Sequence, residues 1–405
     1  MRRAAFAFIF ITVLLDMLAF GIIVPVLPQL VVTLGGGDTA SGAAIFGVFG
    51  TVFAAAQFFS APVLGALADR FGRRPVILLS NLGLGVDYIV MALAPTIAIL
   101  FVGRLISGVT SSSFSTAGAY IADVTPPEKR AARFGMLGVA FGVGFIIGPA
   151  VGGLLGAIDL RAPFWAAAAL SFANFAYGFF ILPESLPRES RAPFRPRAAN
   201  PIGAMRFLGS KPILTSLALA AFLAYIAHDV LPATAVLYMS YRYAFDERAI
   251  GLTLAVAGLS SLVVQGLVVG RVVAAIGEYR ALIAGLVIGT AAQLVLGLAP
   301  DGALFVVGIP IWSLFGLFGP SMQGIATRLV EPTEQGQLQG ALSSVRAMAS
   351  LIAPLLFTQT FAAAIGPFAN VGLPGAAFLL SAALLAGSTA VLARFRSSAR
   401  LATAA

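Results

Sequence analysis

A chain of 405 residues that is 59% hydrophobic and only 10% charged, with mean hydropathy +0.98, has too little polar surface to enclose a water-soluble core. Zero cysteines exclude disulfides and thiol chemistry, and a lone histidine supplies no zinc or haem ligand set, so no metal and no cofactor are expected. The net charge of +9 does not point to nucleic acid, because the basic residues fall in short loops between apolar runs rather than on a soluble face.

The first apolar run, 4–28, follows Met1-Arg2-Arg3 and imitates a secretory signal. It is longer than a signal's apolar core, contains Asp16 and lacks a small-x-small cleavage site before Pro25 and Pro28, so it reads as a retained first span. Further membrane helices are predicted at 42–68, 75–94, 98–121, 133–157, 162–183, 212–238, 249–270, 279–298, 302–326, 335–365 and 370–393. With the N-terminus inside, most Lys and Arg become cytoplasmic, and Arg161, Arg242 and Arg248 remain opposite; the positive-inside rule then puts both termini in the cytoplasm. No ATP-binding loop is present.

The Pro- and Arg-rich stretch 184–211 divides the chain. At a constant offset of 205 residues, Gly65 pairs with Gly270, Gly72 with Gly277, Pro95 with Pro300, Gly103 with Gly308, Pro127 with Pro332, Gly135 with Gly340 and Pro149 with Pro354. The expected architecture is an all-α membrane protein of twelve transmembrane helices in two pseudo-symmetric six-helix bundles: 1–183, a cytoplasmic linker at 184–211, 212–394, and a cytoplasmic tail at 395–405. Two parallel halves are the layout of a transporter with its substrate near the midplane.

Between spans 2 and 3 lies "GALADRFGRRP", Gly65 to Pro75. An Asp inside a basic cluster at a helix end needs a partner, and Gly65 and Gly72 leave room for close approach. The motif resembles the signature loop of the major facilitator superfamily at every fixed position from Gly65 to Arg74. The resemblance implies a cytoplasmic gate: Asp69 facing the start of span 11, and Arg73, flanked by Arg70 and Arg74, reaching Asp123. In the second half, Ala274 and Ala275 replace Asp69 and Arg70, so charged contacts are expected from the first copy alone.

Span 5 carries Gly135, Gly144, Gly148-Pro149 and Gly152-Gly153. A ridge of glycines lets another helix pack closely, and Pro149 frees a carbonyl and bends the helix. The full series is similar to the pattern that marks proton-coupled exporters within the superfamily, which implies export rather than uptake.

Four carboxylates lie within or at the edge of spans: Asp16, Asp87, Asp123 and Asp229. An acid at a helix centre costs ~2.5–3.5 kcal/mol on insertion scales, so such residues mark function by default. In the hairpin of spans 3 and 4, Asp87 and Arg104 reach similar depth, which allows either a neutralising ion pair or a coupling site. Asp16 reaches a comparable depth, and two acids beside one guanidinium cannot both be comfortably ionised, so one of them is expected to carry a proton. His228-Asp229 in span 7 is a second titratable pair and also a candidate for coupling. Gln57, Tyr88, Tyr225 and Gln323 are candidates to line the substrate cavity.

Over nearly its full length the chain resembles the tetracycline-resistance-type drug/proton antiporters, through "APVLGALADRFGRRPVILLS", "GRLISG", "AGAYIADVTPPEKRAARFG" and "GQLQGALSS". The resemblance places Asp16, Asp87 and Arg104 at membrane charges that this family uses. It implies a monomer in the bacterial inner membrane that exchanges amphipathic small molecules, tetracycline-like or other drugs, for protons. The span-8 histidine of tetracycline pumps, aligned on Gln265, is Ser261 here, while His228 sits where the family pattern has none. A proton-driven symporter for a metabolite or peptide is the alternative reading, and a sensor without flux is a third that the embedded acids disfavour.

Overall fold

The computed structural model describes residues 2–111, 113–191, 208–209, 212–331 and 334–402. Among these residues there is no strand, and 11 helices are long and apolar enough to cross a membrane. A shorter apolar helix, Ile97–Thr110, followed by Ser113–Val124, fills the place of span 4. The predicted all-α fold is therefore present, and most spans begin and end within a few residues of the composition-based limits.

Prolines and caps explain the departures. Span 1 is two helices, Arg2–Ile23 and Leu27–Leu34, interrupted around Pro25, with Pro28 in the first turn of the second piece. Span 7 breaks in the same way, into Pro212–His228 and Val230–Tyr243. Pro232 lacks the N–H that would bond the His228 carbonyl, so the helix opens at Asp229. Span 10 passes through a tight turn at Leu314–Leu317 before Phe318–Arg328. There Pro320 leaves the Gly316 carbonyl without its helical donor, and the Gln265 amide donates to it at 3.5 Å from a π-helical turn, Val264–Val268, in span 8.

Helix starts use side-chain caps at repeat-equivalent places. Thr96 accepts from the Ile99 N–H at 3.5 Å ahead of span 4, and Asp301, 205 residues on, accepts from the Leu304 N–H at 2.9 Å ahead of span 10. Gly72 and Gly277, also 205 apart, both sit at positive φ, +107° and +80°, where other residues are strained.

The chain forms two compact units. The first comprises Met1–Ile45, Val52–Ala199 and Ala244–Gly258; the second comprises Phe46–Thr51, Asn200–Tyr243 and Leu259–Ala405. In the first unit the span-5 helix, Pro127–Gly156, lies against span 1. A Cβ at Gly144 would come within 2.5 Å of the Met17 Cβ, one at Gly148 within 2.7 Å of the Gly21 Cα, and one at Gly152 would overlap the Ile22 carbonyl oxygen. Gly153 faces Glu247 and Gly251 on the other side, and Pro149 lies inside the helix, its carbonyl against Gly251. The glycine series is thus the surface on which span 1 is seated, immediately beyond Asp16. The side chain position of Gly135 lies outside the described residues.

Candidate functional site

Span 1 carries Asp16 into the first unit at 5% exposure. Its Oδ1 accepts from the Asn174 amide of span 6 at 2.8 Å, and the same amide nitrogen donates to the Thr12 carbonyl at 2.9 Å. Asn174 is fully buried in the helix Ala162–Ile181, and its two hydrogen bonds tie the acid and the span-1 backbone to that helix. Asp87 in span 3 is 0% exposed and accepts from the Ser107 hydroxyl in span 4. Gly103 makes the approach possible: a Cβ there would stand 2.9 Å from Asp87 Oδ1.

Arg104 does not close an ion pair with Asp87 at contact distance among the described residues. Its guanidinium lies over the Phe53 ring, 4.3 Å from the centroid. Buried Tyr88 nevertheless lies within electrostatic range of Asp16, Asp87 and Arg104, and Arg104 within range of Asp87. Both acids are held by neutral donors, an amide and a hydroxyl. A carboxyl bonded to a neutral donor can take up a proton without breaking a contact ion pair.

At the loop between spans 2 and 3 of the first unit, Arg73 bridges two acids: it donates to Asp69 through a terminal nitrogen and to Asp123 through Nε at 3.2 Å. Asp123 also accepts from the Ser185 hydroxyl at 3.0 Å. Glu184, at the start of the linker, accepts from the Arg73 N–H at 2.9 Å and the Arg74 N–H at 3.3 Å, a carboxylate placed on the N-terminus of the span-3 helix. A Cβ at Gly72 would overlap Glu184, whereas nothing lies within 4 Å of one at Gly65. Close packing therefore accounts for Gly72 and not for Gly65. Arg74 donates to the Phe179 carbonyl, and Arg70 lies over the Phe71 ring at 5.1 Å.

The expectation that only the first-half loop makes charged contacts does not hold. Glu278 and Arg328 pair at 2.9 Å in the second unit, at positions 205 residues after Arg73 and Asp123. The ion pair is repeated with its charges exchanged.

In the second unit the break in span 7 presents His228 and Asp229. Asp229 Oδ1 accepts from Arg346 at 2.7 Å and faces His228 Nδ1 at 3.0 Å, while Oδ2 accepts from the Ser350 hydroxyl at 2.9 Å. Arg346 also lies over Tyr225, 5.1 Å from its centroid. The His228 ring lies 6.1 Å from Trp312 and 5.8 Å from Phe315, which are themselves parallel, 4.8 Å apart and 2° from coplanar. Of the other candidates, Gln57 donates to the Ser111 hydroxyl at 3.1 Å, and Gln323 is half-buried on the Phe318–Arg328 helix.

Asn174, Ser107, Glu184, Arg346 and Ser350 were not expected from sequence. Arg346 and Asn174 do carry a signal, a charge and an amide inside apolar runs. Ser107 and Ser350 carry none, because lone serines are common in membrane helices.

This fold and these polar clusters define a membrane transporter, and comparison with known proteins agrees. Residues 9–354 and 217–403 match the Major Facilitator Superfamily model, and the chain belongs to that family. Within it the chain is similar to the class C tetracycline resistance protein of Escherichia coli, 38% identical over 373 residues, 92% of each chain. It is 33% identical to the class B tetracycline resistance protein of Escherichia coli over 352 residues, 86% of each. Among solved structures, the human organic anion transporter MFSD10 aligns with TM-score 0.70 and 26% identity, covering 96% of this chain and 99% of that one. The nucleoside transporter NupG shares the fold at TM-score 0.78, with 14% identity and coverage of 96% and 99%. The protein is therefore a membrane-spanning, non-enzymatic transporter of small molecules.

Proposed function

We propose that the protein exports amphipathic small molecules in exchange for protons, working as a monomer in a bacterial inner membrane with both termini in the cytoplasm. The observation that carries this reading is the pair of buried carboxylates in the first unit, Asp16 accepting from the Asn174 amide and Asp87 from the Ser107 hydroxyl. Each can be neutral or charged without losing its neighbours, as a proton carrier must. Arg104, within electrostatic range of Asp87 and Tyr88, tunes how readily the acids load.

Two 205-related halves, 1–183 and 212–394, rock about the substrate, which is the usual motion of such repeats. Asp69, Arg70, Gly72, Arg73, Arg74 and Asp123 form the cytoplasmic gate, joined by Glu184, and the span-5 glycines with Pro149 keep span 1 seated as the halves move. Gln57, Tyr225 and Gln323 line the path of the substrate, whereas Tyr88, expected there from sequence, is buried beside the acids. Similarity to tetracycline resistance proteins over 92% of the chain supports a drug as cargo. Ser261 at the position of the pumps' histidine, and the Arg346 cluster of the second unit, support a cargo other than tetracycline itself.

The test is purified protein in liposomes with a trapped pH dye and an imposed gradient of drug, tetracyclines included. Antiport predicts that drug movement in one direction drives protons in the other. Drug and proton moving in the same direction would establish symport and overturn the export reading.

A further inference from the structure

The second unit contains a polar cluster that proton exchange leaves unused, and its composition points to a ligand. Asp229 is saturated: both its oxygens accept, from Arg346, His228 and Ser350. The groups left open are the partners. The Arg346 side chain is 40% exposed and that of His228 44%, against 11% for Asp229. Among the described residues Arg346 makes one hydrogen bond, to Asp229, and a guanidinium has five N–H donors.

These residues sit at mid-depth. His228 is the central residue of the Ile213–Tyr243 span, Phe315 is central in Gly302–Arg328, and Ser350 lies beside the centre of Gln337–Ile365. A half-exposed guanidinium and imidazole at that depth are not turned to hydrocarbon, where a charge costs ~2.5–3.5 kcal/mol even on insertion scales; they face an aqueous path. Beside them stands a flat aromatic wall. Trp312 and Phe315 are parallel at 4.8 Å, Phe315 and Phe318 at 5.3 Å and 10°, and Tyr225 meets Phe318 edge-on at 5.8 Å. The wall exists because span 10 tightens at Leu314–Leu317, and the charges sit opposite it because span 7 opens at Asp229.

We propose that Tyr225, His228, Trp312, Phe315 and Arg346 form a binding subsite for flat aromatic molecules that carry an acidic group, with Arg346 holding the anion and the Trp312–Phe315 face stacking the ring. Asp229 is a positioning residue: its bonds aim Arg346 and turn the Nε2 edge of His228 away from the carboxylate. A cationic aromatic ligand fits less well, because the only carboxylate of the cluster is already occupied by three donors. The inference rests on reading the protein as a transporter with a water-accessible midplane, and it names the chemistry of one part of that site.

The experiment uses the full chain in lipid nanodiscs and calorimetric titration with three probes of one shape: 2-naphthoate, neutral 2-naphthamide and cationic 2-naphthylmethylammonium. Naphthoate is expected to bind at least about tenfold more tightly than the other two, a difference of about 1.4 kcal/mol. Arg346→Gln should remove that preference while leaving naphthamide binding unchanged, and Trp312→Leu should weaken all three. Since Arg346→Gln leaves Asp229 without its guanidinium partner, Arg346→Gln with Asp229→Asn serves as the folded control and should show the same loss. Asp229→Asn alone keeps the guanidinium but loses part of its aim, so it should weaken naphthoate binding less than Arg346→Gln does and keep the preference for naphthoate over naphthamide. Equal binding of the three probes, naphthoate affinity unchanged in the double variant, or no binding of naphthoate would each overturn the proposal. Drug-driven proton flux measured on the same wild-type preparation reports separately on the transport reading, so the two can fail independently.

Discussion

The two units repeat one design and charge it differently. At the repeat-equivalent loops, Arg73–Asp123 in the first unit and Glu278–Arg328 in the second occupy equivalent positions with opposite polarity. Their settings also differ: the Arg73 side chain is 11% exposed and holds two acids, whereas that of Arg328 is 76% exposed and holds one. Near the midplane the contrast is of another kind. The first unit's acids lean on an amide and a hydroxyl, the second unit's on an arginine. A carboxyl held by neutral donors can change its charge; one bonded to a guanidinium is fixed as the anion, because protonating it would leave a cation unpaired. The repeat therefore supplies the same frame twice, and under the proposed function the choice of partner assigns protons to one half and cargo to the other.

Packing offers the sharpest way to break this comparison. In span 5 the close contact is made by glycines on the helix itself. In span 11, where Ala353 and Phe357 stand at the positions equivalent to Gly148 and Gly152, Pro354 is kept and the small residues are Gly47 and Gly50 of the segment facing it. Gly152→Leu would drive its side chain into the Ile22 backbone, so transport should be abolished and size-exclusion profiles should show loss of folded protein. Wild-type activity in that variant would mean that span 1 is not seated on the ridge.

The gate comes next in size. Arg73→Ala removes a bridge between two acids and should lower the transport rate about tenfold, whereas Arg328→Ala, at an exposed pair worth about 0–1 kcal/mol, should change it less than about threefold. Equal losses would show that the two loops carry equal weight despite their different burial.

The smallest effect is expected at a cap. Hydrogen bonds from the hydroxyl and backbone N–H of Ser41 hold the Asp38 carboxyl below the usual carboxylate range. Its folded-state value is depressed, so the cap stabilises span 2 above the unfolded value and that contribution disappears as pH falls through the folded one. Asp38→Ala should lower the melting temperature slightly at neutral pH and not at all at strongly acid pH, read by thermal unfolding in detergent.

Composition and periodicity made the spans legible, whereas the breaks near Pro25, Pro232 and Pro320 lie inside runs that read as continuous. The loop motif carried Arg73–Asp123 and the glycine series carried the span-5 ridge. The partners of the embedded acids were not legible. Asn174 lies 158 residues from Asp16 along the chain, and a lone amide in an apolar helix has no periodicity to announce it. A search of the spans for carboxylates alone passes over Arg346, although it is the charge within the 335–365 run and the partner that decides how Asp229 behaves. Glu278–Arg328 was hidden because Ala274 and Ala275 make the second loop look neutral, while its charges had moved to the other equivalent positions.

The central claim, that protons move through the first unit and not through the second, is tested most directly by drug-driven proton flux in liposomes containing Asp16→Asn or Asp229→Asn. The account predicts that Asp16→Asn abolishes the flux and that Asp229→Asn still couples protons to drug, with any loss confined to drug affinity. Proton flux that survives Asp16→Asn and vanishes in Asp229→Asn would contradict it.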